Sequence, residues 1–159
     1  MSRFFHAASK PGTNGVYNSS VACKFCEIAS GRAEAEIVFE DARTLAFLDA
    51  RPLFPGHTLL IPRDHHETFT DLPAALLGPL FGNAQLITRA VQEAFGAEGS
   101  FVAINNRVSQ SVPHLHVHIV PRRPKDGLRG FFWPRSTYKE GEMREAGDKL
   151  RAALGKLTM

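Results

Sequence analysis

Apolar and polar residues alternate strictly along residues 113–121, Pro-His-Leu-His-Val-His-Ile-Val-Pro, where Leu115, Val117 and Ile119 are interleaved with His114, His116 and His118. Successive strand side chains point to opposite faces, so this spacing predicts a strand with three imidazoles on one side and three aliphatic residues entering the core from the other. A helix would scatter the rings by about 200° per step. Shorter apolar runs at 37–42 and 44–49 predict a hairpin with its turn at 41–43, and further strands are expected at 57–62 and 101–105. Pro52, Pro55 and Gly56 mark the segment 51–57 as a loop.

The period changes after residue 71. Leu76, Leu77, Leu80, Phe81, Ala84, Ile87, Val91 and Phe95 recur at helical spacing, with Asp71 as the expected N-cap, Pro73 in the first turn and Gly96 as the stop. Pro79 is expected to bend or break this helix early. Met143, Ala146, Leu150, Leu154 and Leu157 predict a second amphipathic helix in a tail from about 136 to 159. About five strands around one long helix, with hairpin neighbours rather than regular βαβ alternation, favour an α+β domain on an antiparallel sheet.

A length of 159 residues fits one domain, expected over 21–159 behind a polar lead-in at 1–20. With 43% hydrophobic and 22% charged residues, a mainly disordered or coiled-coil chain is excluded. No apolar run approaches the ~18 residues of a membrane span, so no membrane partner is expected. The lead-in lacks the apolar stretch of a secretory signal, and the cytoplasm is the expected compartment; Arg, Ser and Ala without acidic residues leave organelle targeting as a lesser reading. The net charge of +3 is uneven: 9 basic and 11 acidic residues up to 121 (−2), then 10 basic and 5 acidic (+5). A basic tail suits an anionic substrate or nucleic acid, and a solvated helix face explains it equally well.

Three histidines in register suggest chemistry, although a merely polar strand face is the plain alternative. Imidazole, with an ordinary pKa of ~6.5, offers a neutral nucleophile or base and a protonated acid near neutral pH. Three ring nitrogens could instead hold a catalytic zinc. At the strand entrance, Ser109, Gln110 and Ser111, with Asn105 and Asn106 before them, form a loop suited to phosphate contacts. Cys23 and Cys26 form a C-x-x-C pair, which reads as a metal site or redox pair ahead of a structural disulfide. Further ligands would come from His65, His66, His57 or a histidine of the strand; His66 is expected to be a surface neighbour, and His6 lies in the lead-in.

Ser109-Gln-Ser-Val-Pro-His-Leu-His-Val-His-Ile-Val120, together with Cys23-Lys-Phe-Cys-Glu-Ile28, Phe47-Leu-Asp49 and Pro55-Gly-His-Thr-Leu-Leu-Ile-Pro-Arg-Asp-His65, resembles the histidine-triad superfamily of nucleotidyl hydrolases and transferases over roughly 21–121. The resemblance implies a homodimer and a purine-nucleotide pocket with the α-phosphate against the triad. It implies His116 as nucleophile, His114 and His118 as its orienting and phosphate-contacting neighbours, and His57 as a supporting residue behind it. Asp49 would hold the ribose hydroxyls, and Asn105, Gln110 and Ser111 the phosphate or leaving group.

Expected chemistry is cleavage at the α-phosphate of adenosine dinucleotides or nucleoside phosphoramidates through a nucleotidyl-histidine intermediate, without a catalytic metal. His118 or Ser111 could assist the leaving group. Phe25, Ile28, Val38 and Phe47 are candidates for a base pocket, and each could equally be plain core. Relatives carrying the cysteine pair imply a structural zinc on Cys23, Cys26, His65 and His114, to be weighed against two free thiols; a ligating His114 would not be a proton donor. The chain departs from the phosphoramidase branch in having Ser109 where glycine is usual, a shorter loop between Asn105 and Gln110, and a different ending that would place Trp133 or Arg135 near the pocket, with 131–133 equally suited to a dimer contact. Three other readings are a nucleotide-binding regulatory protein with weak hydrolysis, a three-histidine zinc hydrolase, and an enzyme removing adenylyl groups from nucleic acid.

Overall fold

The computed structural model describes residues 23–128 and 136–157. By their contacts they divide into two units, one ending at Pro124 and one beginning at Lys125. The first is built on an antiparallel sheet of five strands, β1 Ile37–Glu40, β2 Thr44–Leu48, β3 Thr58–Pro62, β4 Gly99–Ile104 and β5 Val117–Arg122, in the order β1-β2-β3-β5-β4. The expected hairpin is β1–β2, with a bulge between Ile37 and Phe39. Its turn is held by Asp41, whose Oδ1 accepts the N–H groups of Arg43 and Thr44 at 2.8 and 2.7 Å.

Alternation along the strands sorts the core into two clusters. Ala46, Leu60, Leu115, Val117 and Ile119 pack with Leu80, Ala84, Ile87 and Val91 of the long helix α2, Ala74–Phe95. Leu45, Phe47, Leu59 and Ile61 pack with Phe25 and Ile28 of the short helix α1, Lys24–Ala29. Leu60, Ile61, Leu80, Leu115 and Ile119 are fully buried. Burial of such a side chain stabilises by roughly 1.5–3 kcal/mol. His118 pairs with Leu59 across β5–β3, so its ring belongs to the α1 side of the sheet.

Two expectations about α2 are corrected. Asp71 does not cap it; Asp71 closes a 3₁₀ turn, Phe69–Asp71, where its carboxylate accepts the Thr68 N–H at 3.0 Å in a capping box, and Pro73 stands at the start of α2 instead. Pro79 leaves the helix unbroken, because at its sixth position the loss of one hydrogen bond is outweighed by the packing of Leu80 and Ala84 against the sheet. Gly96 stops the helix as expected, with φ 57°. Phe81 and Phe95 share the helical spacing but remain 42% and 39% exposed.

Gly56 joins the 51–57 loop to β3 with φ 91°, and the Phe95 ring occupies the space a Cβ would need. Gly56→Ala should therefore destabilise the fold by on the order of 1–2 kcal/mol, visible as a lowered urea midpoint. An unchanged midpoint would show that the backbone relaxes there without cost.

In the second unit, α3 spans Glu142–Leu157. Its Lys139 N–H to Glu142 bond at the start and the Lys149–Glu145 pair are consistent with a surface-type helix. Trp133, Arg135 and the lead-in 1–20 lie outside the described residues. Among the described residues, no helix is long and apolar enough to cross a membrane.

Candidate active site

The histidine strand is regular only from Val117 onward, so His114 and His116 sit in the segment that enters β5 rather than within its ladder. Other fastenings replace the ladder there. The Leu115 N–H donates to the His66 carbonyl at 2.6 Å, and the His114 N–H to the Val112 carbonyl at 2.8 Å. The rings still form a row: His116 lies 4.8 Å from His118, and the Phe25 ring meets His116 at 5.3 Å and His114 at 6.0 Å, edge to face. His114 and His116 are buried and His118 half-buried.

Obligate donors and acceptors fix the tautomers. The Nδ1–H of His116 donates to the His114 carbonyl at 2.6 Å, which leaves Nε2 with a free lone pair. The Leu53 N–H donates to His57 Nδ1 at 3.2 Å, so a neutral His57 carries its proton on Nε2 and donates it to His118 Nδ1 at 3.0 Å. A neutral His118 then keeps its proton on Nε2, a buried atom without a partner among the described residues. An unsatisfied buried donor costs about 1–3 kcal/mol, a penalty that a hydrogen-bond acceptor brought to it would relieve.

Burial keeps His57 and His118 neutral. It pushes His118 down to about 4, with further lowering by His116 and His57 and an opposing pull from Asp49; His57 is also lowered, mainly by burial. The Asp49 carboxylate stands 3.7 Å from His57 Nδ1, and its Oδ1 accepts the Arg51 N–H at 2.9 Å. Both folded-state values lie below the unfolded ~6.5, so the unfolded chain takes up protons first as pH falls. Stability should be whole above pH 6.5 and decline towards pH 4. The His118 share, discounted for its partial exposure, is on the order of 1–2 kcal/mol. His118→Gln should flatten the decline in melting temperature over that window; an identical slope would refute the assignment.

A second constellation lies on the other side of His114. Its Nε2–H donates to the Pro62 carbonyl at 2.9 Å, so Nδ1 presents a lone pair to Cys23 Sγ and Cys26 Sγ, each at 3.5 Å. His65 Nδ1 is 3.3 Å from Cys26 Sγ, and the four donor atoms lie within 4.8 Å of one another. With zinc–sulfur bonds of ~2.3 Å and zinc–nitrogen bonds of ~2.0–2.1 Å, a tetrahedral site has S···N edges of about 3.5 Å, so the donors fit a zinc ion. Burial and the neighbouring Cys23 push the Cys26 thiol up to about 11, opposite to the depressed thiol of a redox-active pair. Asp49, His57 and His118 also cluster closely enough for a metal, but the last two are already hydrogen-bonded to each other.

The remaining expected residues separate into walls and loop. Phe25, Ile28 and Phe47 are buried in one cluster, whereas Val38 is 50% exposed on β1. An open concavity of about 800 Å³ borders this cluster, lined by Ile28, Arg32, Ala33, Ala35, Glu36 and Ile37. Ser111 is exposed and Asn105 half-buried. Both ends of the Gln110 amide are engaged, Oε1 by the Arg107 N–H and Nε2 by the Glu67 carbonyl, each at 2.6 Å. Asn106 Oδ1 accepts the Phe69 N–H at 2.7 Å. Ser109 adopts φ 60°, the conformation that glycine favours.

His66, expected as a surface neighbour, is half-buried: its Nε2 is enclosed, and its carbonyl anchors Leu115. The Pro62 and His114 carbonyls and the Leu53 N–H had no signal in the sequence, because backbone groups carry none.

The HIT domain profile matches residues 30–125. The chain belongs to the HIT family. Among relatives of this HIT protein, the adenylylsulfatase of Arabidopsis thaliana is 33% identical over 67% of this chain and 55% of its own length. The adenosine 5′-monophosphoramidase of Candida albicans is 28% identical over 87% and 95%. The solved structure of a zinc-bound histidine triad family protein from Mycobacterium smegmatis shares 39% identity, covers 86% of this chain and 96% of its own, and superposes with a TM-score of 0.64.

Proposed function

We propose that this HIT protein is a hydrolase that cleaves adenosine nucleotides at the α-phosphate through a nucleotidyl-His116 intermediate. The observation that carries this reading is the pairing of a bare His116 Nε2 with the unsatisfied His118 Nε2–H beside it. Nε2 attacks phosphorus in line; the P–N bond forms as the bond to the leaving group breaks. His118 Nε2–H, held in place through His57 and the Leu53 amide, donates to a phosphoryl oxygen as charge develops. Water then cleaves the P–N bond, releasing nucleoside monophosphate and restoring His116. In this reading Asp49, whose carboxylate lies 3.7 Å from His57 Nδ1, would take the ribose hydroxyls, and the concavity beside Ile28 would take the base. The relatives named for adenylylsulfate and phosphoramidate hydrolysis support a small leaving group on an adenylyl donor.

Cys23, Cys26, His65 and His114 would hold a zinc ion that ties α1 to the histidine segment. Zinc bound there supplies a structural cross-link, and His114, with both ring nitrogens engaged, is not the acid. A homodimer in the cytoplasm completes the reading.

Rapid acid-free quenching during turnover of adenosine phosphoramidate, followed by mass spectrometry, should find an adenylyl group on the peptide containing His116. Steady turnover with no such adduct, even when His118→Gln slows its hydrolysis, would replace the covalent route with direct attack by water.

A further inference from the structure

Between Val112 and His116 the chain precedes the β5 ladder, since pairing to both β3 and β4 begins at Val117. Sheet register therefore does not set the direction of the His114 carbonyl. That carbonyl nevertheless fixes the tautomer and aim of His116. Besides the His114 N–H bond to the Val112 carbonyl and the His114 Nε2–H bond to the Pro62 carbonyl, two fastenings run to the four-donor cluster or beside it: the His114 ring through Nδ1 to both thiols, and His66, next to His65, through its carbonyl to the Leu115 N–H. Phe25, one residue before Cys26, meets both His114 and His116 edge to face.

We propose that Cys23, Cys26 and His65 are positioning residues for the nucleophile, acting through the ring and carbonyl of His114. The inference rests on the reading of His116 as nucleophile and of the four donors as a zinc site. A closed cluster clamps the His114 ring from both nitrogens so that its carbonyl meets His116 Nδ1–H; an open one leaves the ring on the Pro62 bond alone, that peptide is held less firmly, and His116 loses its single tautomer. Outer partners of this kind change rates by about 10–100-fold.

The test compares zinc-loaded wild type, chelator-stripped wild type, Cys26→Ser and Cys26→His, the last retaining a metal donor. Loaded protein should show one ¹⁵N-labelled His116 tautomer, protonated at Nδ1, whereas stripped protein and Cys26→Ser should show a mixture. They should lose 10–100-fold in kcat for AMP release, with KM and AMP affinity within about threefold. Cys26→His should recover zinc stoichiometry, tautomer and rate together. A single Nδ1–H tautomer in folded, stripped protein would overturn the proposal, as would kcat unchanged on stripping. Loss of AMP affinity and near-ultraviolet dichroism in parallel with kcat would overturn it too, leaving a purely structural role. If loaded wild type and His116→Ala release AMP equally, the nucleophile reading fails, and the tautomer measurement still decides whether the cluster governs the ring.

Discussion

Replacing His116 by alanine is expected to lower AMP release from an adenosine phosphoramidate by about 10³-fold or more, with the fold retained. The magnitude follows from its place in the site. Its Nε2 is the lone pair available for attack in the row, since His114 is engaged at both ring nitrogens and His118 carries its proton on Nε2. Loss of a covalent nucleophile leaves only binding and oriented donors, which together supply a minor share of the acceleration. Because His116 is buried against Phe25, the alanine leaves a cavity and a somewhat lower melting temperature. His116→Gln fills more of that space and separates the two effects: it should be equally inactive but closer to wild type in stability. His118→Gln should be milder, about 10²-fold, as expected for one donor to a developing anion. Steady-state AMP release by chromatography measures all three, and a His116→Gln rate within threefold of wild type would remove the covalent mechanism.

Legibility in the sequence followed the range of the interactions. The sheet, its hairpin and the long helix were readable because period-two and helical patterns record which side of an element faces the core, as Leu115, Val117 and Ile119 do against α2. Helix α1 was not predicted: six residues give less than two turns of periodicity, and its existence depends on burying Phe25 and Ile28 beneath β2 and β3. Asp71 has the chemistry of an N-cap, yet the turn at Thr68 claims it first. The identities of the site's side chains were legible, since histidines and cysteines are scarce and their spacing is specific. What organises them was not. Tautomers here are set by the Leu53 amide and by the Pro62 and His114 carbonyls, and the strand begins three residues after His114. Gln110 shows the converse: its type suggested a phosphate contact, while its amide accepts the Arg107 N–H and donates to the Glu67 carbonyl.

Stripping zinc from the protein with a strong chelator should lower its melting temperature by about 10 °C. The four donors come from three separate stretches of chain, the start of α1, the segment after β3 and the entry to β5, so a single ion there would crosslink positions 91 residues apart. Two thiolates and two neutral imidazoles balance a divalent cation, and the Pro62 carbonyl already holds His114 in the tautomer that ligation needs. Unlike a zinc finger, this fold has its own apolar clusters on both sides of the sheet, so the stripped chain should stay folded. The stabilisation is then the linkage value, about 4 kcal/mol when free zinc exceeds its Kd a thousandfold. For a chain of roughly 150 residues each kcal/mol moves Tm by about 2–4 °C. Cys23→Ser and Cys26→Ser should each reduce zinc, measured by atomic emission, well below one ion per chain and make Tm insensitive to the chelator. Two free thiols in the native protein would give the opposite pattern: no zinc after purification in zinc-supplemented buffer, and no chelator effect in the wild type.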